Sequence, residues 1–390
     1  MIRQELHVEI LILIRFLSLS WLRKPGNLRL ARREGIMVNY IGTARLRELV
    51  SRIGAARFME ELAQEIEVDY RRWEHFEKSP RHAIHSPGGV IELMPISDGR
   101  LYSFKYVNGH PTNTTKSLLT VTAFGVLSDV ATGYPLLLSE MTFVTALRTA
   151  AISALAASLM ARPKSRVMAL IGNGAQSEFQ AIAFHHMLGV RNLRLYDTDN
   201  HATVKLMRNL AGLRLPNLEV VQCASTAEAV RGADIITTAT ADKRNATILT
   251  PDMIEPGIHL NAVGGDCPGK TELHSDILRA KNTHIVVEFE PQARIEGEIQ
   301  HLDGSAQVTE LADVLRGRRP GRSNDHQVTL FDSVGFALND FSSLRYLQCL
   351  NVAQRDGDQR IDLIPELGDP KDLFAGLAQE CLPARDRRFA

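Results

Sequence analysis

A short apolar run that leads directly into a glycine-rich turn limits the folds open to this chain. Val167–Ile171 is followed by Gly172–Ser177, which reads Gly-Asn-Gly-Ala-Gln-Ser, and helix-forming residues continue to about position 188. The first glycine permits a tight turn from strand to helix. The second lets backbone N–H groups approach a pyrophosphate at the positive end of the helix dipole. This context predicts a dinucleotide-binding site at Gly172 and Gly174.

A second strand-like run ends in Tyr196-Asp197, about 25 residues beyond the first glycine. A carboxylate at this point binds the adenosine ribose hydroxyls and repels a 2′-phosphate, and the next three residues include no arginine that would hold such a phosphate. Asp197 therefore favours NAD over NADP. The alternative is an ordinary strand–turn–helix with an exposed aspartate.

The segments around this motif predict two sheets of different kinds. Strand-like and helical runs alternate over residues 151–334, which is typical of a parallel sheet with helices on both faces. Residues 81–138 contain short β-prone runs separated by turn signals, which predicts an antiparallel sheet. Residues 37–76 have helical spacing, and Thr142–Met160 is expected to form one long helix.

We therefore predict an α/β protein with two domains. The first is a Rossmann-type doubly wound NAD-binding domain at 151–334. The second is an α+β substrate-binding and dimerisation domain at 37–150, to which residues 335–390 return. Residues 1–36 are interpreted as a non-core leader, either disordered or a misassigned start, with a membrane-surface helix as the alternative.

Composition narrows the classes of partner. The 390 residues include 45 basic and 45 acidic side chains, so no global charge favours nucleic acid. The four cysteines lack metal-type spacing, which suggests a reducing cytoplasm and no metal site. The most apolar stretch, residues 10–22, contains Arg15 and is shorter than the ~20 residues of a membrane span. We expect no nucleic-acid and no membrane partner.

Four charged residues are candidates for chemistry. Asp266 follows an apolar strand that ends in two glycines, so it is a candidate general base if burial raises its pKa; a loop aspartate that caps the next helix is equally consistent. Lys105 lies in an apolar strand, and Arg148 lies in a helix with few other charges. Such cations are paired, extended toward solvent or directed at an anionic ligand. Arg81, by itself, has the pattern of a surface arginine.

Together these segments resemble the ornithine cyclodeaminase/mu-crystallin family. The resemblance runs from about Met37 to Phe374 and rests on long strings of residues instead of isolated glycines. Those strings are Val90–Pro95, Phe104–Pro111, Ala146–Ala150, Ile171–Gln180, Leu260–Leu273, Arg294–Ile299 and Phe331–Phe336.

The resemblance implies roles for individual residues. Arg81, Lys105 and Arg148 would clamp the substrate α-carboxylate and the nicotinamide end, and Asp266 would be the catalytic acid/base. Val334 would form a wall of the substrate pocket, which Glu92 would support. The implied cofactor contacts are Thr120, Arg148, Gly172, Gly174, Ala175, Gln176, Asp197, Thr240, Val263, Gly264, Gly265, Asp266, Lys270 and Ser333.

The resemblance also implies a homodimer, joined through the antiparallel sheet, that holds and recycles NAD. The implied reaction converts L-ornithine to L-proline and ammonia. Hydride leaves Cα for NAD+, the δ-amine closes the ring, and the hydride returns.

Three alternatives stay open. The first is a lysine cyclodeaminase that makes pipecolate, because one methylene provides only ~1–3 kcal/mol of discrimination. The second is a ketimine reductase or an alanine-dehydrogenase-type enzyme. The third is a crystallin-like protein that binds a small ligand, against which the presence of Asp266 argues.

Overall fold

A computed structural model describes residues 37–240, 246–265, 267–353 and 359–377 of the chain. The chain forms two compact units, Ile41–Tyr346 and the remainder, Met1–Tyr40 with Leu347–Ala390. The predicted leader, residues 1–36, lies outside the described residues. The predicted domain division at residues 150 and 334 stays a prediction.

The helices of the described residues are α1 (Thr43–Ile53), α2 (Ala55–Arg71), α3 (Thr142–Met160), α4 (Ser177–Leu188), α5 (Asn200–Leu213), α6 (Thr226–Val230), α7 (Ser275–Arg279), α8 (Glu290–Glu296), α9 (Leu311–Leu315) and α10 (Ala337–Ala353). Short 3₁₀ helices span Trp73–His75, Pro111–Lys116, Pro251–Met253 and Glu298–His301. The strands are β1 (Val38–Ile41), β2 (His82–Ser86), β3 (Gly89–Ser97), β4 (Leu101–Gly109), β5 (Val121–Asp129), β6 (Pro135–Glu140), β7 (Val167–Ile171), β8 (Asn192–Tyr196), β9 (Glu219–Gln222), β10 (Ile235–Thr238), β11 (His259–Ala262), β12 (Thr283–Val287), β13 (Thr309–Glu310), β14 (Val328–Asp332) and β15 (Arg360–Ile361).

The smaller unit contains an antiparallel strand pair. Val38 and Asn39 of β1 pair with Ile361 and Arg360 of β15. The expectation that the helical pattern begins at Met37 is therefore wrong for its first residues. Val38, Tyr40 and Ile41 are β-prone side chains, and α1 begins only after Gly42.

The larger unit contains the predicted antiparallel sheet, with strand order β6-β5-β4-β3-β2. Side chains alternate between its two faces, so every second residue of β4 is buried: Ser103, Lys105 and Val107. On β3 the same alternation places Glu92 on the buried face. Two charged side chains thus occupy positions where the pattern of the sheet expects apolar ones.

The second sheet of this unit is parallel, as predicted, and the doubly wound α/β class is confirmed. Its order among the described strands is β13-β12-β14-β11-β10-β7-β8-β9. The chain runs outward from β7 to β8 and β9 and then returns to β10 on the other side of β7. In open α/β sheets, ligands bind at such a switch point, outside the carboxyl ends of the strands.

The carboxyl ends of the central strands lie in register. Ile171 pairs with Thr238, Thr238 pairs with Ala262, and Ala262 pairs with Asp332. The loops that follow β7, β10, β11 and β14 therefore leave the sheet at one edge. This edge contains most of the predicted cofactor residues.

Helix α3 is long and apolar enough to cross a membrane by length and composition alone, but most of it is buried inside the protein. An apolar helix that is mostly buried is typical of the core of a large unit. Arg148 is a charged residue in this apolar stretch and is itself buried.

Candidate active site

The glycine turn after β7 has the conformation that its sequence predicts. Gly172 has φ +92°, and a Cβ at this position would lie 2.6 Å from the carbonyl oxygen of Ala239. At Gly174, by contrast, a Cβ would meet no atom within 4 Å, and Gly174 and Ala175 are exposed. The turn is thus closed against the loop after β10 and open toward solvent at the start of α4. This arrangement fits a pyrophosphate.

Asp197 lies beside this turn at the end of β8. Its carboxylate accepts hydrogen bonds from the backbone N–H of Asn173 (2.5 Å) and of Asp199 (2.8 Å). The side chain of Asn173 is itself held, because it donates to the carbonyl of Leu170 (3.1 Å). Asp197, which is predicted to bind the ribose, therefore lies next to the loop that is predicted to bind the pyrophosphate.

A buried carboxylate that sequence reasoning missed joins the loops after β10 and β11. Glu272 accepts hydrogen bonds from the N–H (2.8 Å) and hydroxyl (2.5 Å) of Thr240 and from the N–H of Gly264 (3.0 Å). Any side chain at Gly264 would collide with this carboxylate. Lys270 completes the cluster, since its Nζ donates to the carbonyl of Thr240 at 2.7 Å. Glu272 thus holds two predicted cofactor residues, Thr240 and Gly264, and the third, Lys270, is held by Thr240.

A second layer of buried carboxylates supports Glu272. Glu298 accepts the N–H groups of Glu272 (2.8 Å) and Leu273 (3.0 Å), and Asp332 accepts that of Ile299 (3.2 Å). Burial raises the pKa of Asp332 to about 7 and raises the pKa of Glu298 well above its usual range. A Cβ at Gly265 would lie 3.0 Å from Glu298 Oε1, so this carboxylate also packs against the predicted glycine pair.

Two predicted cofactor residues have buried polar atoms without a partner in the described part of the chain. These atoms are the hydroxyl of Ser333 and Oε1 of Gln176. Ser333 is fixed at the sheet edge by its N–H, which donates to the carbonyl of Ala262 at 2.9 Å. Val263, which is half-buried, lies at the same edge and donates to the carbonyl of Thr238 at 2.9 Å. Polar atoms left unpaired at this edge fit a site that a ligand completes.

The predicted cofactor residue Thr120 hydrogen-bonds near the ends of β4 and β5, and to none of the described residues of this cluster. Thr120 precedes β5, and its carbonyl accepts the N–H of His110 at 2.8 Å, a contact within the antiparallel sheet. Asp266, the predicted acid/base, lies outside the described residues. The roles of both stay predictions.

Of the predicted substrate residues, Arg81 contacts both Glu92 and Val334. Arg81 Nη1 donates to Glu92 at 3.0 Å, and Nη2 donates to the carbonyls of Val334 (2.9 Å) and Gly335 (2.6 Å). Arg81 Nε lies 3.1 Å from Glu296 Oε2. The side chain of Arg81 is only 7% exposed, so it does not extend into solvent like a surface arginine.

Lys105 and Arg148 meet at Asp340, a second residue that sequence reasoning missed. Lys105 Nζ donates to Asp340 at 3.0 Å, and so does Arg148 Nε at 3.1 Å. Burial, followed by the charge of Arg148, lowers the pKa of Lys105 to about 8. The signal for Asp340 in the sequence is weak, because its helical run also contains Asn339 and Arg345. Of the three explanations open for these two cations, pairing therefore applies to both.

The sequence of this chain matches a known protein family over most of its length. Residues 44–351 match the family model described as "Ornithine cyclodeaminase/mu-crystallin family". The chain is 56% identical to ornithine cyclodeaminase of Brucella suis over 341 residues, which is 87% of this chain and 94% of that protein. It is 57% identical to ornithine cyclodeaminase of Agrobacterium fabrum over 341 residues, 87% of this chain and 95% of that protein. Identity to L-lysine cyclodeaminase of Streptomyces rapamycinicus is 31% over 312 residues, 77% of this chain and 89% of that protein.

Two solved structures are similar over most of the chain. A lysine cyclodeaminase, studied for its recognition of L-lysine, L-ornithine and L-2,4-diaminobutyric acid, aligns with a TM-score of 0.79 and 28% identity and covers 87% of this chain and 99% of its own. An archaeal alanine dehydrogenase dimer with bound NAD aligns with a TM-score of 0.75 and 27% identity, and covers 84% of this chain and 100% of its own.

Proposed function

Because this chain belongs to the ornithine cyclodeaminase/mu-crystallin family, we propose that it is an ornithine cyclodeaminase. It is then an ammonia lyase that converts L-ornithine to L-proline and ammonia with NAD as a recycled cofactor, and it links ornithine catabolism to proline formation. The observation that carries this proposal is the 56% identity to ornithine cyclodeaminases over almost their whole length, against 31% for the lysine enzyme.

NAD fits the carboxyl edge of the parallel sheet. Gly172 and Gly174 would bind its pyrophosphate, Asp197 its ribose hydroxyls, and the unpaired Ser333 hydroxyl a polar group at the nicotinamide end. When bound, NAD+ supplies a hydride acceptor that later returns the hydride, so the substrate undergoes no net oxidation.

The cationic residues would orient the substrate. Arg148 and Lys105 project from α3 and β4 into one buried position, where they would bind the α-carboxylate. Arg81, whose charge is matched by Glu92 and Glu296, would fix the wall at Val334 through its bond to that carbonyl. A substrate held in this way exposes one defined face of its α-carbon.

Asp266 is proposed as the proton acceptor. The δ-ammonium group of ornithine is not nucleophilic until it loses a proton, and a carboxylate next to it would remove that proton. The neutral amine would then close the five-membered ring, and the α-nitrogen would depart as ammonia. In the sequence, Asp266 comes directly after Gly264 and Gly265, and these two glycines lie at the edge of the sheet where the other predicted cofactor residues are found.

We also propose a cytoplasmic homodimer. The solvent face of the antiparallel sheet carries exposed apolar side chains on adjacent strands, including Leu93 of β3, Tyr102 of β4 and Phe124 of β5. Phe124 stacks on Tyr106 with ring centroids 5.0 Å apart, so part of this face is aromatic. A second copy of the chain is the proposed occupant, because an apolar sheet face of this kind is typical of a protein–protein interface.

The experiment that tests the activity uses L-ornithine and a sub-stoichiometric amount of NAD. Many equivalents of proline and ammonia, with no lasting NADH, are expected. Accumulation of stoichiometric NADH would indicate a dehydrogenase. Formation of pipecolate from L-lysine without turnover of ornithine would indicate that lysine is the substrate. The variant Asp266→Asn tests the role of this residue, and it is expected to bind NAD but to form no proline. A parent-like rate for this variant would contradict the role of Asp266.

A further inference from the structure

Two buried cations share a single carboxylate in the candidate substrate site. Lys105 Nζ lies 2.9 Å from Asp340 Oδ2, and Arg148 Nε lies 3.1 Å from Asp340 Oδ1. The Lys105 and Asp340 side chains are each 1% exposed, and that of Arg148 is 6% exposed. Because burial makes an unmatched charge costly, this triad with one excess positive charge is suited to receive an anion.

The excess positive charge is available to an anion at the Nη end of the Arg148 side chain. Asp340 occupies Nε of Arg148, whereas Nη1 and Nη2 have no acceptor among the residues that the structure describes. A Cβ at Gly335 would lie 3.1 Å and 3.3 Å from these two nitrogens, so the glycine leaves room for the guanidinium group. The free end of a guanidinium binds a carboxylate through two parallel hydrogen bonds.

Neighbouring charges do not replace Asp340. Arg81 is matched by Glu92 and Glu296. Glu288 is the other carboxylate near Arg148, but it accepts the N–H of Gly335 and the side-chain amide of Asn339, and burial raises its pKa. Within the described residues, Asp340 is therefore the carboxylate that contacts both Lys105 and Arg148.

Lys105 depends on this contact for its charge. Burial and the positive charges of Arg148 and Arg81 lower its pKa, and Asp340 opposes them; the balance is a pKa of about 8. Loss of the carboxylate would lower the pKa further, so Lys105 would be neutral at a pH at which it is now charged.

We propose that Asp340 is a positioning residue for the substrate carboxylate: it orients Lys105 and Arg148 and keeps Lys105 charged, so that the pair presents net positive charge to ornithine. This inference rests on the proposed cyclodeaminase function. Asp340 does not itself contact the substrate in this arrangement, because its oxygens face the two cations.

The test is the pH dependence of kcat/KM for L-ornithine in Asp340→Asn. The variant keeps the size of the side chain and removes its charge. Its alkaline limb is expected to move to lower pH by about one unit or more, the usual effect of a charge within ~4–6 Å. At pH 8, KM is expected to rise about tenfold or more, with a smaller change in kcat. An unmoved limb would overturn the proposal.

Asp69→Asn is the matched control. Asp69 is also a fully buried carboxylate that pairs with α10, where it accepts from Ser342 (2.8 Å) and Arg345 (3.0 Å), and neither partner is a predicted site residue. Its replacement is expected to lower stability without displacing the alkaline limb. If both variants lose activity equally at every pH, Asp340 has only a structural role.

The variant Lys105→Arg tests the same ion pair by changing Lys105 instead of Asp340. It can be used even if Asp340→Asn does not fold. Arginine stays charged at every accessible pH, so the alkaline limb is expected to move to higher pH. A limb at the parent position would overturn the proposal. If the unmutated protein forms no proline from ornithine, the proposed function is contradicted instead. NAD binding, measured by fluorescence, shows whether each variant is folded.

Discussion

At the scale of single residues, Glu272 is the buried group that links two of the predicted cofactor loops, those after β10 and β11. Its carboxylate accepts three hydrogen bonds from Thr240 and Gly264, and a glutamine would present an amide donor to some of these N–H groups. Hydrogen bonds to a charged group contribute about 1.5–3 kcal/mol each. We expect Glu272→Gln to weaken NAD binding about 10- to 100-fold, as measured by fluorescence titration.

Glu255→Gln is the control for this change. Glu255 is exposed and accepts one backbone N–H, that of Gly232, at 2.8 Å. The variant is expected to bind NAD like the parent, and its unfolding free energy should change by less than about 0.5 kcal/mol. Parent-like NAD affinity in Glu272→Gln would show that the two loops do not need this carboxylate.

At the scale of elements, the turn between β7 and α4 depends on one backbone conformation. Gly172 has φ +92°, and a methyl group there would press against the Ala239 carbonyl. Gly172→Ala is expected to lower the unfolding free energy by about 1–3 kcal/mol and to weaken NAD binding about tenfold or more. Denaturant unfolding and NAD titration measure the two effects.

Gly212→Ala provides the contrast within the same unit. Gly212 lies in α5, and a Cβ there would meet no atom within 4 Å. Alanine is a better helix former than glycine, so this variant is expected to gain up to about 1 kcal/mol. If the two alanine variants had the same stability and the same NAD affinity, the special role of the turn at Gly172 would be refuted.

At the scale of the whole molecule, the proposed dimer depends on the aromatic face of the antiparallel sheet. Phe124 is 43% exposed on β5, and a glutamate there would place a charge in the proposed interface. Phe124→Glu is expected to sediment at the mass of one chain and the parent at the mass of two. Leu213→Glu, at a position that is 51% exposed on α5, is the control and is expected to remain dimeric. A dimeric Phe124→Glu would exclude this face as the interface.

Local sequence patterns are sufficient to predict most of the fold. The alternation of apolar strands and helices predicts the parallel sheet, and the observed bounds of α3 are those expected from its composition. The glycine turn and Asp197 were also readable, because both follow from what a strand-to-helix connection needs locally. The β1 strand was missed, since its four residues are too few to establish a period of two.

The order of residues along the chain establishes which residue types follow the parallel strands and that Lys105 interrupts an apolar strand. Which charges neutralise one another depends instead on how the elements pack. Asp340 lies 235 residues from Lys105 and 192 from Arg148, and Glu272 lies 32 from Thr240. No local pattern encodes such pairs, because a buried charge is matched by whichever element packs against it, and that choice is made only when the whole core forms.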